Sequence, residues 1–314
     1  MLSSRQGRLL IALPTVCLTI SLIRARSAET TPLTIQSRVP LLDGRAIPAL
    51  GLGVYSVTPG EPTYRSVMNA LQAGVRHIDT AELYANEADV GRALVQSHIP
   101  RSHVWVTTKV LVGRFAQQQP DYNETLAAGR ASVRERLGLD YADLLLLHSP
   151  YGANDRLSRW AALLELQREG VARSVGVSNY GVQHLREIER AGLPLPVINQ
   201  IELSPWLRRR ELEAYCRKRA IVLEQWGALA KGKRLHGVDQ LDAIAEARGA
   251  QPVQVLMRWG LQMGNVVLFT TTNPAHLSVD IDLYGFGLSA NQMGKMDLWE
   301  DGFRTGWDPA NEAE

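Results

Sequence analysis

Eight short apolar runs punctuate the chain, at residues 49–55, 75–79, 104–109, 143–148, 174–178, 197–203, 221–226 and 266–270. Each is rich in Val, Ile and Leu and apolar on both parities, as strands buried on both faces must be. Between them the period changes to that of a helix, at 62–73, 87–97, 124–137, 157–169, 182–191 and 241–248. Five of these segments stop at Gly74, Gly138, Gly170, Gly192 and Gly249, a residue that tolerates the left-handed geometry just past a helix end. Asn86 stands as an N-cap before the second helix. Near the start, apolar runs at 33–37 and 39–47 around Asp43-Gly44 predict a hairpin.

Eight strands alternating with helices predict an α/β fold, a closed (β/α)8 TIM barrel preceded by an N-terminal β-hairpin. An open doubly wound sheet would want a glycine-rich turn after its first strand. Gly51-Leu-Gly53 runs on into Val54-Tyr55 with no third glycine at the required spacing, so that fingerprint is missing. There is no internal repeat or low-complexity linker, and residues 31–314 read as a single barrel domain.

Residues 1–30 read as a separate leader. Leu9 to Ile23 is apolar, interrupted by Pro14, flanked by Arg5, Arg8, Arg24 and Arg26, and no acid precedes Glu29. The run is short for a membrane span. A signal peptide fits its charge, but Arg26 and Ala28 make a poor cleavage site. A mitochondrial presequence fits the arginines and serines; a weak anchor and a mis-assigned start are the other readings. Membrane contact is therefore expected only through residues 9–23, if the leader is retained.

The net charge of +2 implies no nucleic-acid partner, and Arg208-Arg209-Arg210 reads as a solvated helix start. With two cysteines, Cys17 and Cys216, there is neither a disulfide framework nor a metal cluster. A reducing compartment is expected.

The chemistry gathers where apolar runs stop. Asp79, Lys109 and His148 end the second, third and fourth runs, and Tyr84 follows the second by five residues. In a barrel these would line one mouth, at the C-terminal ends of the strands. A phenol titrates near pH ~10 and donates a proton poorly at neutral pH unless a cation sits beside it. A lysine can lower its pKa, and a carboxylate can hold the lysine. The set reads as a tyrosine general acid with its tuning partners; each residue alone reads as a buried ion pair or a core aromatic.

The sequence resembles the aldo-keto reductases. The resemblance rests on Asp79-Thr-Ala-x-x-Tyr84-x-Asn86-Glu87-x-x-Val90-Gly91, on Leu137-Gly-Leu-Asp-Tyr-Ala-Asp143 leading to His148, and on Val175-Gly-Val-Ser178-Asn179. Asn199-Gln200 and Gln254-Val-Leu-x-Arg258-Trp259 add to it. It runs in order over about residues 45–300 and is closest to the monomeric carbonyl and diketogluconate reductase type. It implies hydride transfer from a reduced nicotinamide to an aldehyde or ketone. Tyr84 would be the general acid, Lys109 would lower its pKa, Asp79 would hold Lys109, and His148 would orient the carbonyl. No metal is implied.

The resemblance places Ser178, Asn179 and Gln200 on the nicotinamide carboxamide and stacks Trp226, in the usual tyrosine position, on the ring. The other end of the cofactor site departs. Thr270 and Thr271 replace the usual Lys-Ser, His276 replaces an arginine, and Val279-Asp280 replaces Glu-Asn. Losing charge-assisted contacts to a 2′-phosphate should cost about 1–3 kcal/mol each, and Asp280 would repel the phosphate further. NADP(H) is the expected cofactor, with NAD(H) the alternative.

Gly227-Ala228-Leu229 stands where Ser-Pro-Leu usually clasps the cofactor. Lys231, Lys233 and Arg234 follow, as a solvated loop or as pyrophosphate contacts. Tyr55, Leu111 and Ser149 stand at pocket positions that often carry aromatics, implying a roomier carbonyl site. Tyr151, Trp206 and Trp307 are further wall or packing candidates. Two functions compete with an NAD(P)H-dependent carbonyl reductase: a cofactor-binding sensor or pseudoenzyme, and a barrel using Lys109 as a Schiff-base nucleophile. Dependence on reduced nicotinamide favours cytoplasm or mitochondrion over secretion.

Overall fold

The computed structural model describes residues 32–111, 121–151, 155–306 and 308–311. The leader, including the run at 9–23 and Cys17, and Trp307 lie outside them. From Leu33 onward the described residues form one compact unit.

The hairpin pairs β1 (Arg38–Pro40) with β2 (Ala46–Pro48), antiparallel, around the Asp43-Gly44 turn. It is shorter than the sequence pattern suggested. Residues 33–37 make a turn closed by the Ser37 N–H on the Thr34 carbonyl, 2.9 Å. All eight expected barrel strands are present: β3 (Leu50–Gly53), β4 (His77–Asp79), β5 (Trp105–Val110), β6 (Ala142–Leu147), β7 (Ala172–Ser178), β8 (Ile198–Glu202), β9 (Val222–Trp226) and β10 (Val266–Phe269). They pair in parallel in chain order, and β10 closes the barrel on β3.

Alternation along each strand separates the two faces. Leu145 and Leu147 of β6 pack outward with Leu163 and Leu166 of α4 (Arg156–Arg168). Leu144 and Leu146 point inward and join Trp105, Ile198 and Val266, together with Leu41 and Ile47 of the hairpin. The hairpin therefore plugs the N-terminal end of the barrel. Ser174, on β7, donates to Asp43 at 2.7 Å and ties the plug down. Above this apolar floor the inward positions turn polar: His77 and Asp79, Thr107 and Lys109, Gln200, and Glu224 are all buried.

The surrounding helices follow the expected pattern with physical exceptions. α1 (Glu61–Gln72) and α2 (Glu87–Gln96) stand close to prediction. Asn86 holds the N-cap position of α2, but its side chain does not cap. Its amide donates to the Val54 carbonyl at 3.0 Å and accepts from Thr80 Oγ1 at 2.8 Å, tying the β3 and β4 loops together. The expected 124–137 helix is two pieces. α3 (Tyr122–Arg130) is capped by Asp121, and a wider π-helical turn follows over Ala131–Arg136. That turn brings both Ser132 and Arg136 onto the Glu87 carboxylate.

α5 (Val182–Arg190) and α7 (Asp239–Arg248) match expected segments, whereas α6 (Arg210–Lys218), α8 (Pro252–Gln262), α9 (Pro274–Ile281) and α10 (Ala290–Met296) are helices that periodicity did not expose. α8 buries Val255, Leu256, Met257, Trp259 and Leu261, and its narrow polar row, Gln254, Arg258 and Gln262, bonds the Asp282, Leu283 and Leu288 carbonyls. The arginine triplet is not a solvated start. Arg208 is buried on Glu213 and Asp297, Arg209 pairs with Asp308, and only Arg210 is exposed.

Candidate active site at the strand ends

Four strand ends converge. Lys109 Nζ donates to both oxygens of Asp79, at 2.7 and 2.8 Å, and to the Thr80 carbonyl at 2.9 Å. All three ammonium hydrogens have acceptors, which compensates a charge with no solvent exposure. The same Nζ lies 5.0 Å from the centre of the Tyr84 ring. Tyr84 ends a short 3-10 turn, Glu82–Tyr84, held at the mouth by Leu111 N–H on Glu82 Oε2, 2.9 Å. On one side the phenol ring meets Tyr55 edge-on at 5.1 Å, and on the other His148 at 5.6 Å. Asp79, Lys109, Tyr84, His148 and Tyr55 are thus brought together as the sequence predicted.

The electrostatics follow from burial. Burial pulls the Lys109 pKa down, but the Asp79 carboxylate and the Tyr84 oxygen outweigh it and leave it raised. Burial pushes Asp79 up, opposed by Lys109 and Gln200. The Tyr84 phenol is pushed up to about 12 by burial; the Lys109 charge pulls it down without prevailing. Lys109 therefore acts in the expected direction, but the net shift of the phenol is upward because its desolvation is larger. Burial, then Lys109, pulls His148 down to about 3, so its imidazole is neutral.

The neighbouring strand ends form a second cluster. Ser178 Oγ donates to the Gln200 carbonyl at 3.0 Å. Asn179, in a left-handed conformation (φ 63°), donates to the His148 carbonyl at 3.1 Å and to Ser178 Oγ at 3.0 Å, and accepts the Trp226 indole N–H at 3.1 Å. Leu229 packs into the outer core, and Gly227 turns with φ +70° against Glu202. Ser149 is buried behind His148, and Leu111 is half-buried.

Thr270 and His276 are exposed, Thr270 just past β10 beside Gly53 and His276 in the first turn of α9. Thr271 is committed to the turn, bonding the Asn273 backbone, while its carbonyl accepts from Ser66 at 2.6 Å. Asp280, the supposed phosphate repeller, is buried one helical turn beyond His276, and burial raises it to about 6. Arg234 pairs with Asp301 at 2.7 Å beside the rings of Trp206 and Phe303. Trp206 itself stacks on Trp299 in the core rather than walling the pocket. Lys231 reaches over Tyr55, 5.7 Å from the ring centre.

Two buried acids had no role assigned from the sequence, Glu87 being named there only within its motif. Glu87 accepts from Thr108 at 2.5 Å, from Ser132 and from Arg136. Glu224 lies inside the barrel on the parity of Trp226. A glutamate at an inward position of an apolar strand was the available signal. A surface cleft between α5, α6 and the C-terminal segment holds none of the predicted site residues. Among the described residues no cluster of His, Cys, Asp or Glu is arranged to hold a metal ion, and no helix is long and apolar enough to cross a membrane.

A parallel eight-stranded barrel with a buried lysine–carboxylate pair under a tyrosine and a neutral histidine defines the class, and comparison with known proteins agrees. The aldo/keto reductase family model matches residues 49–300. An aldo-keto reductase of Mycolicibacterium smegmatis is 42% identical over 87% of this chain and 94% of its own length. A Trypanosoma cruzi protein named 9,11-endoperoxide prostaglandin H2 reductase is 37% identical over 87% of this chain and 95% of its own. Among solved structures, MGS-M4, an aldo-keto reductase from a Medee basin deep-sea metagenome library, superposes with a TM-score of 0.82 at 32% identity, covering 88% of this chain and all of its own. The aldo/keto reductase of Brucella melitensis gives 0.77 at 35%, covering 84% and 99%. The chain belongs to the aldo-keto reductase family, oxidoreductases that act on carbonyl compounds and generally use NAD(P)H.

Proposed function

We propose that this protein reduces aldehydes or ketones to alcohols with a reduced nicotinamide cofactor, and that Tyr84 is the proton donor. The observation that carries the reading is the placement of Lys109 Nζ between the Asp79 carboxylate and the Tyr84 ring, with the neutral His148 on the ring's other side. The residues present fit the nicotinamide end. Trp226 offers a half-buried ring whose N–H is already held by Asn179, and the Asn179 oxygen keeps a second lone pair for a carboxamide N–H. When bound, the cofactor supplies the hydride.

The chain's own residues do the rest. His148, uncharged, donates a ring N–H to the carbonyl oxygen without adding a competing positive charge and so orients it. Tyr84 is protonated at neutral pH and gives its proton to that oxygen as negative charge develops there. The phenolate left behind faces Lys109, whose charge Asp79 keeps in place. A Schiff base on Lys109 is disfavoured because its three hydrogens are already bonded.

The phosphate end offers Thr270, Thr271 and His276 and neither lysine nor arginine among those three positions, which supports NADH as a serious rival to NADPH. The test is a titration of the protein with each cofactor, followed by cofactor oxidation with a panel of aldehydes and ketones. The name of the trypanosomal relative adds an organic endoperoxide to that panel. Binding with turnover supports the reading. Binding without turnover on any substrate favours a cofactor sensor, and no binding of either cofactor overturns the proposal.

A further inference from the structure

Below the Asp79–Lys109 pair sits an acid that this mechanism leaves unused. Glu224, on β9, has no solvent exposure. A single nitrogen, Gln200 Nε2, donates to Asp79 Oδ2 at 2.8 Å and to Glu224 Oε2 at 2.9 Å, so one amide bridges the two carboxyl groups. The other oxygen, Oε1, has no hydrogen-bond partner and faces His77 Nε2 at 3.5 Å. That nitrogen also lies 3.0 Å from Thr107 Oγ1. The groups facing Glu224 are His77 and Asp79 from β4, Lys109 from β5 and Gln200 from β8. Its neighbour on β10 is Val266. Among the described residues this enclosure holds two acids and one cation, because His77 is neutral, held near 3 by burial.

We propose that Glu224 is a positioning residue that works as a neutral carboxylic acid, its proton on Oε1, and that its ionisation weakens the Tyr84–Lys109 proton donor. The proposal rests on the reductase reading above and adds a regulator of that site. The charge balance carries it. Lys109 gives all its donors to Asp79 and Thr80, so an ionised Glu224 would be a buried charge with one oxygen unbonded. Protonation leaves Oε2 as the acceptor for Gln200 and gives Oε1 a hydrogen to direct at His77.

Burial, then Asp79, holds this acid up to about 8, in line with that assignment. Above that pH the proton is released to solvent and a second carboxylate competes for the Lys109 charge. The Glu224 anion raises the proton affinity of Lys109 and leaves less positive field to stabilise the phenolate of Tyr84.

The experiment compares wild type with Glu224→Gln, which keeps shape and hydrogen bonding but cannot titrate. The reading is the ratio of kcat for carbonyl reduction above and below about pH 8, taken within each protein. A fall of about tenfold in wild type, one unit of lost acidity, that is absent from the variant supports the proposal. The same fall in both proteins overturns it. Infrared spectra give a readout free of turnover. A protonated-carboxyl C=O band that disappears in wild type as pH passes about 8, and is missing from Glu224→Gln, supports the assignment. Its absence from wild type at neutral pH overturns it, even if the variant does not fold. Failure of both proteins to reduce any carbonyl would sink the reductase reading instead, leaving the infrared result to decide Glu224.

Discussion

Trp226 and Asn179 are joined edge to amide, the indole Nε1 donating to Oδ1 across 3.1 Å, so that the last residue of β9 is locked to the residue after β7. The ring cannot turn without breaking that bond. Trp226→Phe keeps an aromatic face and removes the donor. It should weaken nicotinamide cofactor binding by about fivefold, the worth of one neutral hydrogen bond near ~1 kcal/mol. An unchanged Kd in a fluorescence-free assay such as calorimetry would show that the bond does not orient the ring.

Tyr84→Phe removes one oxygen and leaves the ring contacts to Tyr55 and His148. Carbonyl reduction should fall by about 10²- to 10⁴-fold in kcat, with cofactor affinity within about twofold of wild type. Substantial residual turnover would remove Tyr84 from the role of proton donor.

Thr270 is exposed just past β10, beside Gly53. Thr270→Lys should tighten NADPH by about tenfold or more, one charge-assisted contact, and leave NADH nearly unchanged. Equal effects on both cofactors would place the 2′-phosphate elsewhere.

His148 gives a stability prediction. Burial holds its imidazole at about 3 in the fold, whereas the unfolded chain takes that proton near ~6.5. Between those values the unfolded state binds more protons, so the histidine's share of stability is full above ~6.5 and is lost as pH falls toward about 3. Glu224 opposes it, because an acid held up to about 8 keeps its proton in the fold. The histidine's share is therefore read as the difference between wild type and His148→Gln in urea midpoints. Wild type should lose its relative advantage on acidification below ~6.5, and a constant difference down to pH ~4 would contradict the burial.

Gly181 has no room for a side chain: an added Cβ would stand 1.9 Å from the Ala310 carbonyl oxygen. Gly181→Ala should expel the C-terminal segment, loosening the Asp308 contacts to Arg209 and Arg304. Hydrogen exchange should rise sharply over residues 308–311 while the barrel strands stay protected. Unaltered exchange there would mean α5 gives way instead.

The barrel was legible because its strands are buried on both faces, and runs such as 143–148 carry that burial in composition alone. The three strand-end residues Asp79, Lys109 and His148 were legible because polar groups interrupt those runs, and Tyr84 because it follows the second run closely. α8 was not, since its apolar face is so wide that only the row Gln254, Arg258 and Gln262 interrupts it. Glu224 and the packing of Trp206 depend on which side chains meet across the barrel or across the C-terminal segment, and such partners are distant in sequence. The net upward shift of Tyr84 is of the same kind, because spacing reveals a cation nearby but not how much water the fold removes.

The hairpin plug has a kinetic meaning. With Leu41 and Ile47 packed on the apolar floor at the N-terminal end, Tyr84 is approached from the C-terminal ends of the strands. A ligand lying against the Trp226 wall and a second one seated over Tyr84 share that doorway. On the reductase reading cofactor and carbonyl compound would both pass that doorway, so an excess of either ligand should slow the departure of the other.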